Sequence, residues 1–188
     1  MQETFLKVII CGDGGVGKTS FLNRYVNDIF LEDSEMTKGV NFFSKKIKKN
    51  GSNFACDLVM WDLGGQEQFR FMLSECVDGA AGALFLFDMT RFNSLDRIDD
   101  WMAEITEHDN IPIMLVGTKS DLKHLISDYL DDYASQIVQN SANCVGYIKT
   151  SSKTNYNIQD TFDIFIDILL RKMKGYNSDS TSFGESVV

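Results

Sequence analysis

Residues 12–19 read Gly-Asp-Gly-Gly-Val-Gly-Lys-Thr and fill every fixed position of the pattern G-x-x-x-x-G-K-[ST]. The run follows an apolar, β-branched stretch from Leu6 to Cys11 and opens a helix-period stretch from Lys18 to Asn27. A strand, a glycine turn and a helix in that order suit one kind of chemistry. Gly12, Gly14, Gly15 and Gly17 let the backbone around Val16 curl, so that successive N–H groups point inward at phosphate oxygens. The helix then offers the N–H groups of its first turn, around Lys18, Thr19 and Ser20, and the positive end of its dipole. Lys18 supplies a point charge for the β- and γ-phosphates of a nucleotide, and the Thr19 hydroxyl is a hard oxygen ligand suited to Mg2+. The loop alone does not separate ATP from GTP.

The elements that position this loop follow from hydrophobic patterning. Val40 to Lys48 and Phe54 to Trp61 read as strands, and Asn50-Gly51 between them as a hairpin turn that pairs the two antiparallel. Ala83 to Phe87 and Pro112 to Val116 read as buried strands and Val145 to Lys149 as a short strand. Ser94 to Glu107, Ser127 to Asn140 and Ile158 to Met173 read as helices, the last with Ile158, Phe162, Phe165, Ile166 and Leu169 as its core stripe. Alternation of strands and helices predicts an α/β fold with a mostly parallel sheet. The expected division is one domain over residues 1–174 and a polar, Ser-rich, disordered tail over 175–188.

The 188 residues carry a formal charge of −9, which argues against a protein whose main task is gripping nucleic acid or an acidic membrane. The four cysteines, Cys11, Cys56, Cys76 and Cys144, form no CxxC pair and read as buried thiols in a reducing compartment. The N-terminus carries no signal peptide, and Gln2 stands where myristoylation needs glycine. His108 and His124 read as exposed residues at helix ends or in loops, with no assigned role.

Three further runs extend the chemistry: Trp61-Asp62-Leu63-Gly64-Gly65-Gln66-Glu67, Thr118-Lys119-Ser120-Asp121 and Thr150-Ser151-Ser152-Lys153. With the glycine loop they stand in the order and rough spacing of the Ras superfamily of small GTPases, and the resemblance covers residues 5 to 173. It implies a P-loop NTPase G domain, with a mostly parallel six-stranded sheet, one antiparallel edge strand and helices on both faces. It also implies that GDP and GTP bind with Mg2+, the metal held by Thr19, Thr37 and, through water, Asp62. Gly65 resembles the glycine whose N–H senses the γ-phosphate, and Gln66 the glutamine that orients the attacking water. Thr37, followed by Gly39-Val40-Asn41-Phe42, looks like the threonine of the first switch segment. Phe30 resembles the aromatic that packs edge-on to the guanine. Asp121 is expected to choose the base by accepting from N1–H and the 2-amino group, donors that adenine lacks. Lys119 is expected along the base plane, Ser151 and Ser152 beside it with the Ser152 N–H toward O6, and Lys153 stacked on the far face.

The sequence departs from that pattern in places. Thr118 replaces the usual asparagine, which predicts a weaker tie between base site and phosphate loop and lower nucleotide affinity. Phe87-Asp88-Met89-Thr90-Arg91 and the Gly117–Asp121 run look like the septum-promoting branch, whereas Gly39–Phe42 and Trp61-Asp62 are Rab-like. Phe42 and Trp61 match two of three aromatics that Rab proteins show to effectors, but the third place falls near Cys76 and Val77. No cysteine follows Cys144, so the expectation is a cytoplasmic protein without its own lipid anchor, meeting membranes only through partners. No arginine lies between Phe30 and Thr37, so turnover is expected to be slow and raised by an activating protein. An exchange factor and effectors are implied too. The alternatives are a nucleotide-bound module with vestigial hydrolysis and an ATP-using P-loop enzyme.

Overall fold

The computed structural model describes residues 3–32, 35–48, 55–108, 110–122 and 124–173. The Asn50-Gly51 turn and the 175–188 tail lie outside them. The strands are β1 (Glu3–Cys11), β2 (Val40–Lys48), β3 (Ala55–Leu63), β4 (Gly82–Asp88), β5 (Ile113–Thr118) and β6 (Cys144–Lys149). They form one sheet in the order β2-β3-β1-β4-β5-β6. The β2–β3 pair is antiparallel and every other pair is parallel. The helices are α1 (Lys18–Asn27), α2 (Leu73–Val77), α3 (Asn93–Asp96), α4 (Ile98–His108), α5 (Ser127–Asn140) and α6 (Ile158–Lys172). The expected G-domain architecture is therefore present.

Side chains alternate across each strand, so β1 feeds two cores. Leu6, Val8 and Ile10 pack with Phe21 and Leu22 of α1 and Phe162, Phe165 and Leu169 of α6. Ile9 and Cys11 face the other layer, with Ile98, Trp101 and Ile105 of α4 and Leu130, Ala134 and Ile137 of α5. Phe162 stacks on Tyr25 and Phe21 with ring centroids 3.6 and 5.2 Å away, locking α6 to the helix that carries the phosphate loop. Burying a phenylalanine of this kind contributes about 1.5–3 kcal/mol.

The structure departs from the sequence expectation at the start of β1, which begins at Glu3 rather than Leu6, and in its helical segments. The helix expected over 94–107 is two, α3 and α4, interrupted at Arg97. The 3-10 segment Glu67–Met72 and the five-residue α2 were not anticipated, being too short to show a period.

The cysteines are all buried and free. Burial pushes the Cys11 thiol up to about 12 and those of Cys56 and Cys144 to about 11. At pH 7 such thiols are thiolate to on the order of one part in 10⁴–10⁵, against a few per cent for a free cysteine. The native protein is expected to resist an aromatic disulfide reagent at pH 7 and to expose all four thiols on unfolding. Rapid labelling of the native chain would contradict this burial.

Candidate functional site

The sheet grows in both directions from β1, whose neighbours are β3 on one side and β4 on the other. In open α/β sheets the crevice beyond the strand ends at such a switch point is where ligands sit. Here it opens as a cleft of about 390 Å3. One end is walled by residues 14–20, Thr37 and Gly65, and the other by Phe30, Thr118, Lys119, Asp121, Ser152 and Lys153. Leu31, Glu32, Glu35, Met36 and Leu122 also line it, and nothing in their type or spacing singles them out.

The phosphate loop turns its carbonyls onto donors of the protein. Gly12 has φ +126°, and a Cβ there would lie 2.1 Å from the Leu86 carbonyl oxygen, so only glycine fits. Gly15 and Gly17 also have positive φ. The loop carbonyls are each met by a donor. Lys18 Nζ donates to Gly12 and Asp13 at 2.7 and 2.9 Å, and Arg91 donates to Gly14 at 2.8 Å. Lys119 donates to Gly15 at 3.0 Å and the Thr118 hydroxyl to Val16 at 2.7 Å. Gly17 accepts from the Phe21 N–H inside α1. Lys18 has three protons, and the two carbonyls leave one for a ligand.

Thr118 is buried at the end of β5, beside the loop. Its hydroxyl reaches the loop at Val16 and also lies 2.8 Å from the Phe87 carbonyl. Thr118 thus links β5 to the loop, with one hydroxyl proton serving two acceptors.

The cation end brings together three oxygens that the sequence places far apart. Thr19 Oγ1 lies 2.7 Å from Thr37 Oγ1 and donates to Asp62 Oδ2 at 2.6 Å. Thr37 Oγ1 is 3.3 Å from the same carboxylate oxygen. Asp62 is fully buried, and its Oδ1 has no hydrogen-bond partner among the described residues. Burial raises the Asp62 carboxyl above its ordinary range, with the Thr19 hydroxyl and the Lys18 charge working the other way. Burial likewise lowers Lys18, with Asp62 opposing. A buried carboxylate with an orphaned oxygen beside two hydroxyls is a donor set that fits a hard divalent cation sharing its shell with phosphate and water.

At the base end Ser151 is buried, and its hydroxyl donates to Asp121 Oδ1 at 2.6 Å while accepting from the Thr154 N–H. This holds the exposed carboxylate in one orientation. Arg24 Nε donates to the Ser152 carbonyl and pins the 151–153 segment to α1. Lys153 pairs with Glu32 at 3.0 Å across the cleft mouth. Gln66 stands at the rim, its amide 3.9 Å from the Met36 sulfur. Lys119 adopts φ +58°, a left-handed conformation uncommon outside glycine, and so brings its ammonium to both Gly15 and Asp88.

Asp88, nearly buried, is the hub of that corner. Its Oδ2 is 2.6 Å from Lys119 Nζ, and Oδ1 accepts from the Thr90 N–H and hydroxyl. Burial works to raise this carboxyl, but the Lys119 and Thr90 donors outweigh it and hold it below the usual carboxylate range. A depressed folded pKa contributes stability above the unfolded value and loses it as pH falls through the folded one. Asp88→Asn is therefore expected to lower unfolding free energy by about 1–3 kcal/mol at pH 7. The gap to the parent should close below about pH 4. A gap that widened in acid would contradict the assignment.

At the β2–β3 edge, Phe42 is 63% exposed and meets Trp61 edge-on with centroids 4.8 Å apart. Cys76 and Val77 are buried, so the third aromatic of the Rab pattern is not replaced there. Among the described residues no helix is long and apolar enough to cross a membrane.

Known proteins resemble this chain in sequence. The Ras family pattern matches residues 7–171. Ras-related protein RABA1b of Arabidopsis thaliana is 37% identical over 162 residues, covering 85% of this chain and 73% of its own. Ras-related protein RABA2a of the same plant is 31% identical over 189 residues, covering 98% and 85%. Ras-related protein YPTC6 of Chlamydomonas reinhardtii is 35% identical over 162 residues, covering 85% and 73%. A six-stranded G-domain sheet, a complete phosphate loop at its switch point and a family match across nearly all described residues lead to one conclusion: the chain belongs to the Ras family of small GTPases and is Rab- and Ras-like within it.

Proposed function

We propose that the chain is a guanine-nucleotide switch that binds GDP and GTP with Mg2+ and hydrolyses GTP slowly. The observation that carries the reading is a single cleft with a phosphate loop at one end and the oriented Asp121 carboxylate at the other. A phosphate-bearing ligand seated on the loop brings its base to a paired acceptor that suits the N1–H and 2-amino group of guanine.

In this reading Thr19, Thr37 and Asp62 hold Mg2+, which when bound neutralises charge on the β- and γ-phosphates. Lys18 and the loop N–H groups stabilise the charge that develops as the terminal phosphoryl group leaves. Gln66, at the rim, orients the attacking water. Thr37 and Gly65 report the γ-phosphate because they sit at the ends of the two segments that flank it. Phe30 covers one face of the base, Lys119 lies along its plane, the Ser152 N–H meets its O6, and Lys153 leaves Glu32 to stack on the other face. The Phe87–Arg91 run and Thr118 are what support a place near the septum-promoting branch. An activating protein, an exchange factor and effectors are the partners such a switch requires.

Mass spectrometry of the nucleotide released from the purified protein, followed by single-turnover hydrolysis, tests the reading. GDP or GTP should be released, and turnover should be on the order of 10⁻⁴ to 10⁻³ per second without a partner. Co-purified adenine nucleotide, or turnover of several per second, would overturn it. A bound guanine nucleotide with no hydrolysis over a day would leave a binding module in its place.

A further inference from the structure

No arginine stands in the first switch segment, yet the fold brings one to the phosphate loop from elsewhere. Arg91 lies in the turn after β4, 77 residues from Gly14, and its guanidinium donates to the Gly14 carbonyl at 2.8 Å. Its other terminal nitrogen lies 4.0 Å from where a Cβ of Gly15 would stand. Arg91 is itself held at both backbone groups. Its N–H donates to the Asp88 carbonyl at 2.9 Å, and its carbonyl accepts from the Ser94 hydroxyl at 2.6 Å. Ser94 is fully buried. The anchor is thus part of the core, and the guanidinium is aimed rather than loose.

A peptide unit is planar and trans, so its C=O and N–H point in opposite directions. The carbonyl of the Gly14–Gly15 peptide points at Arg91. Gly14 and Gly15 line the cleft and Arg91 does not, so the Gly15 N–H faces the cleft. A hydrogen bond from a cation to the carbonyl polarises the amide and strengthens the N–H on its far side. Lys119 and Thr118 act the same way on the next two peptides, but they belong to the base motif. The Arg91 charge also adds to the field at the Lys18 ammonium.

We propose that Arg91 is a positioning residue for the nucleotide phosphates, fixing the Gly14–Gly15 peptide with its N–H toward the ligand and strengthening that donor. The inference rests on the nucleotide-switch reading and adds to it a cis arginine that acts through the loop backbone.

The test compares Arg91→Met and Arg91→Lys with the parent protein. The Gly15 amide proton is followed by NMR in nucleotide-free and GDP-bound protein, single-turnover GTP hydrolysis is measured, and the thermal midpoint is recorded. In Arg91→Met the Gly15 resonance should move upfield and hydrolysis should fall about tenfold, with the midpoint held. Arg91→Lys, which keeps the charge, should recover part of both. An unmoved Gly15 resonance overturns the inference whatever happens to turnover, and so does unchanged turnover in Arg91→Met. Equal losses in the two variants would overturn the role of charge. If the parent binds no guanine nucleotide, the switch reading fails by itself, and the Gly15 resonance of the free protein still judges the effect of Arg91 on the peptide.

Discussion

Asp121→Ala should weaken GDP binding by roughly 10²- to 10⁴-fold, the largest loss expected from any single side chain at the base end. Two hydrogen bonds to a carboxylate are at stake, each contributing about 1.5–3 kcal/mol. The carboxylate is set in place before the ligand arrives, because the buried Ser151 hydroxyl holds Oδ1. Little ordering is therefore left to offset the binding energy. Asp121→Asn is the more informative change. It replaces one acceptor by an amide donor that faces the 2-amino group of guanine, donor against donor. A base with a carbonyl at that position would pair instead, so the variant should prefer xanthine over guanine nucleotides. Competition of GDP, XDP and ADP against a fluorescent nucleotide measures both effects. Undiminished GDP affinity in Asp121→Ala would remove the residue from the base site.

What was legible in the sequence was what depends on local order. The phosphate loop is contiguous, its glycines are conformationally necessary, and the strand and helix around it are strongly patterned. Five of six strands and three long helices fall within two residues of their expected bounds because apolar residues mark the faces they pack. Thr19, Thr37 and Asp62 were matched to one metal only through the resemblance, since no spacing rule joins positions 19, 37 and 62. Their convergence at 2.6–3.3 Å is a property of the fold. Arg24 and Glu32 escaped notice for the same reason, and Asp88 and Arg91 entered only as members of a branch-like run, without these contacts. Each acts on a backbone group or charge far along the chain, and a single charged residue carries no period to betray it. Thr118 shows the converse. Type alone names no partner for its hydroxyl, which finds the Val16 carbonyl because β5 delivers it beside the loop.

Net charge is a similar case. A chain of −9 is unsuited to polyanions over its surface, yet Lys18, Lys119 and Lys153 line the cleft and Arg91 backs its loop from outside. The global charge limits what large partners fit, while the local field decides the ligand.

Gly65 and Gly14 lie close together beside the loop, and an added side chain should have opposite consequences at the two. A Cβ on Gly65 would lie 2.3 to 2.5 Å from the carbonyl carbon and oxygen of Asp13 and the carbonyl oxygen of Gly12. These are backbone atoms, fixed by Lys18 from the other side, and they cannot turn away. Gly65→Ala must therefore part the segment after β3 from the phosphate loop. A cost of about 1–3 kcal/mol is expected for such overpacking. For a domain of this size that lowers the thermal midpoint by about 2–12 °C. A Cβ on Gly14 would meet the Met36 methyl at 2.9 Å and Gln66 Cγ at 3.9 Å, both flexible side-chain atoms. Gly14→Val should leave the midpoint near the parent value and keep nucleotide binding. It should slow hydrolysis about tenfold or more, because the valine occupies the space through which Gln66 addresses water. Calorimetry and single-turnover hydrolysis on the two variants separate the effects. A stable Gly65→Ala would show that the loop backbone yields, and full turnover in Gly14→Val would show that Gln66 works from another position.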